Sequence, residues 1–127
     1  KNNGYTDTSM GRMLLEKASA NENYTSARDC SVFLKNIYEN KLEHSEDMLN
    51  LLKQQTRTEK IPKGIPSGVE TANKTGELDH VENDAAIVFD GENPYIICVM
   101  ADNLSDTTEA RQRIVDISSV VYENISK

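Results

Sequence analysis

Seven consecutive positions, Tyr95-Ile96-Ile97-Cys98-Val99-Met100-Ala101, carry apolar side chains. The Asp90-Gly91-Glu92-Asn93-Pro94 segment before them has turn chemistry, which marks the run as a short strand. Successive side chains of a strand point to opposite faces, so a run without alternation needs cover on both sides. That requirement excludes the outer strand of a half-solvated sheet. The chain must therefore supply layers for two faces. The free backbone edge of the strand would still be an open pairing template, and we expect further strands from another segment of a longer parent protein to pair there.

The rest of the chain offers candidates for those layers. Residues 1–25 mix polar residues with the apolar piece Met10-Gly11-Arg12-Met13-Leu14-Leu15 and read as a loop with one helical turn. Ser26 suits an N-cap, and Cys30, Phe33, Leu34, Ile37 and Tyr38 recur at helical spacing, which predicts an amphipathic helix over 26–40. Ser45 suits a second cap, with Glu46 and Asp47 in the first turn and Met48, Leu51 and Leu52 along one face, which predicts a helix over 45–55. Pro62, Gly64, Pro66 and Gly68 make residues 56–68 an extended connector. Strands are then expected at 69–75, 85–89 and 95–101, antiparallel, with a loop over 76–84. Ala110, Ile114, Ile117, Val121 and Ile125 form one stripe of a last helix over 106–125, able to cover one face of the sheet while the earlier helices cover the other. The fold class is α/β in the broad sense (α+β): an antiparallel sheet flanked by helices.

With 127 residues the chain is one compact domain or part of a larger one. Its mean hydropathy of -0.61 is low, but the apolar positions are grouped, which argues against disorder. Fourteen Lys and Arg against 21 Asp and Glu give a net charge of -7, a field that repels phosphate backbones and anionic lipid. Nucleic acid is therefore excluded as a partner. No apolar run approaches the roughly 20 residues that cross a bilayer. The chain starts Lys1-Asn2-Asn3-Gly4, and any signal peptide of its gene is expected to have been cut away. Cys30 and Cys98 fall in a predicted helix and a predicted strand and read as buried free thiols.

Lys74-Thr75-Gly76-Glu77 ends the first strand. The stretch Ile61-Pro62-Lys63-Gly64-Ile65-Pro66-Ser67-Gly68-Val69, this tetrad with Leu78, and Asn83-Asp84-Ala85-Ala86-Ile87-Val88-Phe89 together resemble the C-terminal part of the class A serine β-lactamase and penicillin-binding transpeptidase family. Asn23-Tyr24-Thr25-Ser26-Ala27-Arg28-Asp29 before a helix resembles that family's exit from its omega loop, and Met48-Leu49-Asn50-Leu51-Leu52-Lys53-Gln54-Gln55 its next helix. The resemblance implies a β-lactamase/transpeptidase-like fold. It also implies that the Lys-Thr-Gly strand walls an active site where substrate lies like an added strand. Lys74 would bring positive charge to the substrate carboxylate and to a proton-shuttling Ser, and Thr75 would offer a hydroxyl to the same carboxylate. Gly76 would permit close backbone approach, and the Glu77 amide would be one of two oxyanion donors. Lys74 and Glu77 are thus the catalytic candidates, and Lys74, Thr75, Gly76 and Glu77 the substrate-binding ones.

The family's Ser-x-x-Lys nucleophile is absent: Ser9 leads to Arg12, Ser31 to Leu34 and Ser45 to Met48. Ser105-Asp106 is followed by Thr107, so Ser-Asp-Asn is absent as well. The resemblance implies a C-terminal portion whose nucleophile-bearing N-terminal part is its partner. The substrate would be a β-lactam or a peptidoglycan stem peptide, met outside the cytoplasm. The omega-loop stretch Tyr5-Thr6-Asp7-Thr8-Ser9-Met10-Gly11-Arg12 lacks the family's deacylating Glu, and Asp7 is a short, misplaced substitute, so fast β-lactam hydrolysis is not expected. The alternatives are a non-catalytic binding or sensing module of the same fold, and a structural α/β domain in which the tripeptide is coincidence.

Other candidates read as structural. Asp79 and His80 are neighbours on an extended segment and point apart, which disfavours a Ser-His-Asp triad. His44 stands among charged neighbours at a helix start, and two distant His without paired Cys do not make a metal site. No cofactor and no metal are expected. Glu70, Glu77, Asp79, Glu82 and Asp84 read as a solvated acidic run, Arg111 and Arg113 as surface residues, and Arg57 as a candidate to flank the carboxylate pocket. Met10, Met13, Met48 and Met100 read as core fillers.

Overall fold

A computed structural model of the chain describes residues 4–13, 16–17 and 21–126. The elements are α1 (Ala27–Tyr38), α2 (Ser45–Lys53), a short 3-10 helix (Ile61–Gly64), β1 (Glu70–Leu78), β2 (Val81–Phe89), β3 (Tyr95–Ala101) and α3 (Thr107–Ile125). They form an antiparallel sheet in the order β1-β2-β3.

Ser26 Oγ accepts from the Asp29 amide at 3.1 Å, so α1 begins at the cap the sequence predicts, a bond worth about 1 kcal/mol. Asp106 caps α3 by accepting from Thr108 N and Glu109 N. The predicted Ser45 cap is overturned: Ser45 lies inside α2, and its hydroxyl turns back to donate to Leu42 O at 2.8 Å. His44, at φ 61, holds the cap position without a side-chain bond.

Two further expectations are corrected. Part of the connector is helical, because a proline in the first turn of a helix removes only an amide that has no acceptor. This 3-10 helix packs on α3: Ser118 Oγ donates to Ile61 O at 2.8 Å, and a Cβ on Gly64 would overlap the Val115 carbonyl. The expected loop over 76–84 is mostly strand. Pairing continues to Leu78↔Val81, and only Asp79 and His80 turn the chain, with His80 at φ 62.

The unbroken apolar run of β3 finds cover on both faces. One layer joins Ile61, Ile65, Ala86, Val88, Ile97 and Ile114, with Tyr95 and Val99 packed against it. The other joins Leu34, Ala72, Ala85 and Ile87, with Cys30, Ile96 and Cys98. Side chains of β2 and β3 thus alternate between an α3 side and an α1–α2 side. Cys30 and Cys98 are free thiols, and burial, with Cys30 and Asp84 nearby, pushes Cys98 up to about 12.

Ahead of α1, Ser9 and Tyr24 pair as an isolated antiparallel bridge. Of the apolar piece in this loop, Leu14 and Leu15 lie outside the described residues. Met10 and Met13 are 80% and 65% exposed, so these two are not core fillers; the polar loop around them offers no apolar layer to enter. Met48 and Met100 are half-buried. No helix among the described residues is long and apolar enough to cross a membrane.

Candidate functional site

β1 is an edge strand, and Lys74 lies in its middle opposite Ala85. Directly paired residues share a face, so Ala72, Lys74 and Gly76 point with Asn83, Ala85 and Ile87 toward α1 and α2. The result is a groove of about 690 Å³, floored by Lys74, Thr75, Gly76, Asn83 and Ala85, and walled by Phe33, Leu34 and Ile37 of α1 and Met48, Leu51 and Leu52 of α2. Its walls are apolar. Lys74 places a single ammonium at this margin, 2.6 Å from the carbonyl of Thr75. Among the described residues no carboxylate forms an ion pair with it. A cation without a counter-ion beside an apolar trough suits a guest that combines a carboxylate with an apolar body.

Thr75 is 7% exposed and borders the groove, although its register partner Asp84 puts its side chain on the α3 face; Gly76, on the groove face, has no heavy atom closer than 3.5 Å to an added Cβ. The Glu77 side chain goes to the other face, where it borders a second hollow with Glu82, His80 and Arg111. There its carboxylate meets Arg57 Nη1 at 2.9 Å and Lys60 Nζ at 3.2 Å. The bond from Lys60, with burial opposing it, holds Glu77 below its ordinary value.

Lys60 is 1% exposed and also lies 2.6 Å from Glu82, which in turn accepts from Arg111 Nε at 2.7 Å. Burial raises Glu82, but the bonds from Arg111 and Lys60 outweigh it and leave the carboxyl below its usual range. The same bond raises Arg111. Beside this row, the carboxylate of Asp84, also 1% exposed, accepts from Ile61 N and Asn73 Nδ2, and burial raises its pKa. Glu82 and Asp84 therefore do not belong to a solvated acidic run. They sit on the α3 face of β2, where each is tied to the chain that crosses it.

The sequence matches the profile of the beta-lactamase enzyme family over residues 1–125. The chain belongs to that family. Its fold agrees: a beta-lactamase from Sphaerobacter thermophilus superposes with a TM-score of 0.88 at 23% identity, over 98% of this chain and 50% of that one. PBP-A gives 0.83 at 24% identity, over 97% and 47%. The chromosome-encoded beta-lactamase of Vibrio parahaemolyticus gives 0.80 at 18% identity, over 97% and 51%. This beta-lactamase-family chain thus spans about half the length of the solved chains it matches. No curated protein matches it.

Lys74, Thr75 and Gly76 come together at the groove of this family member, whereas the Glu77 side chain does not. Arg57, a candidate for the carboxylate pocket, is bonded to Glu77. Asp7 accepts from Ser26 Oγ at 2.8 Å and is thereby engaged at the start of α1. His80 Nδ1 meets Leu104 O at 2.7 Å, and His44 is exposed between Glu43 and Asp47. No cluster of His, Cys, Asp and Glu fit to hold a metal ion is found among the described residues. Lys60 was not legible in the sequence, since its position in a Pro- and Gly-rich connector carries no spacing signal. The register gives the missing clue: with a two-residue turn, Glu77 and Glu82 oppose each other, and such a pair calls for a buried cation.

Proposed function

We propose that this chain is the C-terminal portion of a penicillin-recognising serine hydrolase. It supplies the wall against which a β-lactam or a peptidoglycan stem peptide lies while its acyl group passes to a Ser carried by the N-terminal part of the same protein. The observation that carries this reading is the ammonium of Lys74, which has no carboxylate partner among the described residues, at the margin of an apolar groove. Lys74 attracts the substrate carboxylate, Thr75 adds a hydroxyl to it, Gly76 leaves room for the added strand, and the Glu77 amide donates to the oxyanion. A variant of PBP-A, solved as an acyl-enzyme complex with penicillin G, lends support from a protein of the same fold. The N-terminal part pairs with the outer edge of β3 and covers the groove. The substrate class places the reaction outside the cytoplasm. The stretch Tyr5 to Arg12 carries no Glu and its Asp7 is held by Ser26, so activation of the deacylating water is weak and the acyl-enzyme is long-lived.

The test is incubation of the full-length protein with a fluorescent penicillin, followed by denaturing electrophoresis. A covalent label that persists, and that falls sharply with Lys74→Met, supports the proposal. An unlabelled intact protein that does carry a Ser-x-x-Lys helix makes the chain a module that binds carboxylates without catalysis.

A further inference from the structure

The geometry points to Lys60 as a positioning residue for the Glu77 amide, and this rests on the acyl-transfer function proposed above. Lys60 stands at the start of the 3-10 helix, outside the groove, and its side chain runs beneath the end of the β1–β2 hairpin. Its ammonium lies 3.4 Å from Gly76 O and 3.0 Å from Asn83 O. Gly76 and Asn83 are register partners, so one buried cation grips the backbone of both strands at the same rung.

The Gly76 carbonyl and the Glu77 N–H belong to one peptide group. In a trans peptide these two bonds point in opposite directions. A carbonyl directed at an ammonium shared with β2 therefore leaves the N–H directed away from β2, toward the outer margin of β1, where the sheet has no neighbour. Lys60 fixes that orientation from behind. A cation on the oxygen also draws electron density through the amide and strengthens the N–H as a donor. Glu82 at 2.6 Å and Glu77 at 3.2 Å keep the ammonium in place, so the side chain that follows the tripeptide helps to hold its own amide. A cation needed only to neutralise Glu82 would have no reason to sit on two carbonyls of the wall.

The test compares two variants of the full-length protein, Glu82→Gln and Glu82→Gln combined with Lys60→Met. Neither leaves Glu82 as a buried uncompensated carboxylate, so both are expected to fold, and they differ only in the ammonium. The acylation rate constant for a chromogenic cephalosporin is expected to fall about tenfold from the single to the double variant with the dissociation constant unchanged, less than the loss seen when an oxyanion donor is removed outright. Glu82→Gln combined with Lys60→Arg is expected to restore most of it. The Glu77 amide proton, followed by heteronuclear NMR, is expected to move upfield in the double variant. Equal acylation rates in the two variants, or an unmoved Glu77 resonance, overturns the proposal. A wild-type protein that does not acylate, yet shows the upfield shift on loss of Lys60, keeps the amide clamp and removes the acyl-transfer function instead.

Discussion

Glu77 and Glu82 are register partners across the β1–β2 ladder, and both carboxylates are bonded to Lys60. Like charges directly opposite one another destabilise a sheet. The hairpin end therefore closes on these residues only because a cation stands between them, with Arg57 and Arg111 on the outer oxygens.

Removing that cation alone leaves Glu82, which is 1% exposed, with the half-exposed Arg111 as its remaining ion partner. Breaking a buried pair by deleting one partner costs about 3–5 kcal/mol, so Lys60→Met is expected to lower the urea midpoint of the full-length protein strongly. Adding Glu82→Gln recovers most of the loss. A midpoint unchanged by Lys60→Met means that Glu82 takes up a proton or finds water.

Acid acts on the same end of the sheet. Glu77 and Glu82 are both held below 4.5 in the folded chain, so the stability they contribute is present above that pH and drains away as pH falls through their folded values. Asp84 has the opposite sign: raised above 3.8 by burial, it favours the folded state when protonated and costs stability as pH rises through its folded value. Urea midpoints measured from pH 7 downward are expected to drop below about pH 4.5, and the drop is expected to be shallower in Glu82→Gln.

Lys74 is predicted to separate function from stability. Its side chain is exposed and has no ion pair among the described residues, so Lys74→Met leaves the unfolding midpoint within about 0.5 kcal/mol of wild type. A charge-assisted bond to a substrate carboxylate is worth about 1.5–3 kcal/mol, so the acylation efficiency with a penicillin drops by about 10- to 100-fold. Equal efficiencies remove Lys74 from the site.

Gly64 is predicted to be intolerant of any side chain. A Cβ there would overlap the Val115 carbonyl and crowd Ser118 of α3, and forced repacking of that kind costs about 1–3 kcal/mol. Gly64→Ala is expected to lower the melting temperature measured by calorimetry, whereas Gly91→Ala, with open space around it, strains only a positive φ and costs less.

Cys98, pushed up to about 12, holds its proton at pH 8 and is expected to resist iodoacetamide until the chain is unfolded. Peptide mapping after alkylation of the native protein reads this directly. Modification at the rate of a free thiol contradicts the burial of that strand.

Elements driven by periodicity were legible in the sequence. The stripes of α1 and α3 and the two-sided need of β3 each follow from the spacing of apolar residues, and the structure places them within a few residues of expectation. The hairpin turn was not, because Glu77, Asp79, Glu82 and Asp84 look like solvent-facing residues until register pairs them. Ser45 failed for a different reason, since its hydroxyl donates to Leu42 O and accepts from Leu42 N, and so took the turn instead of the helix start. Of the residues lining the groove, Lys74, Thr75 and Gly76 were singled out by their tripeptide, while the buried charges behind them left no local signature.

The row Arg57, Glu77, Lys60, Glu82, Arg111 fastens the end of the hairpin with ions, whereas the rest of the sheet is held by apolar layers. Heating makes the dehydration of charged groups less costly while the gain from apolar contact levels off. On warming, this end of the hairpin is therefore the part of the sheet that loosens last.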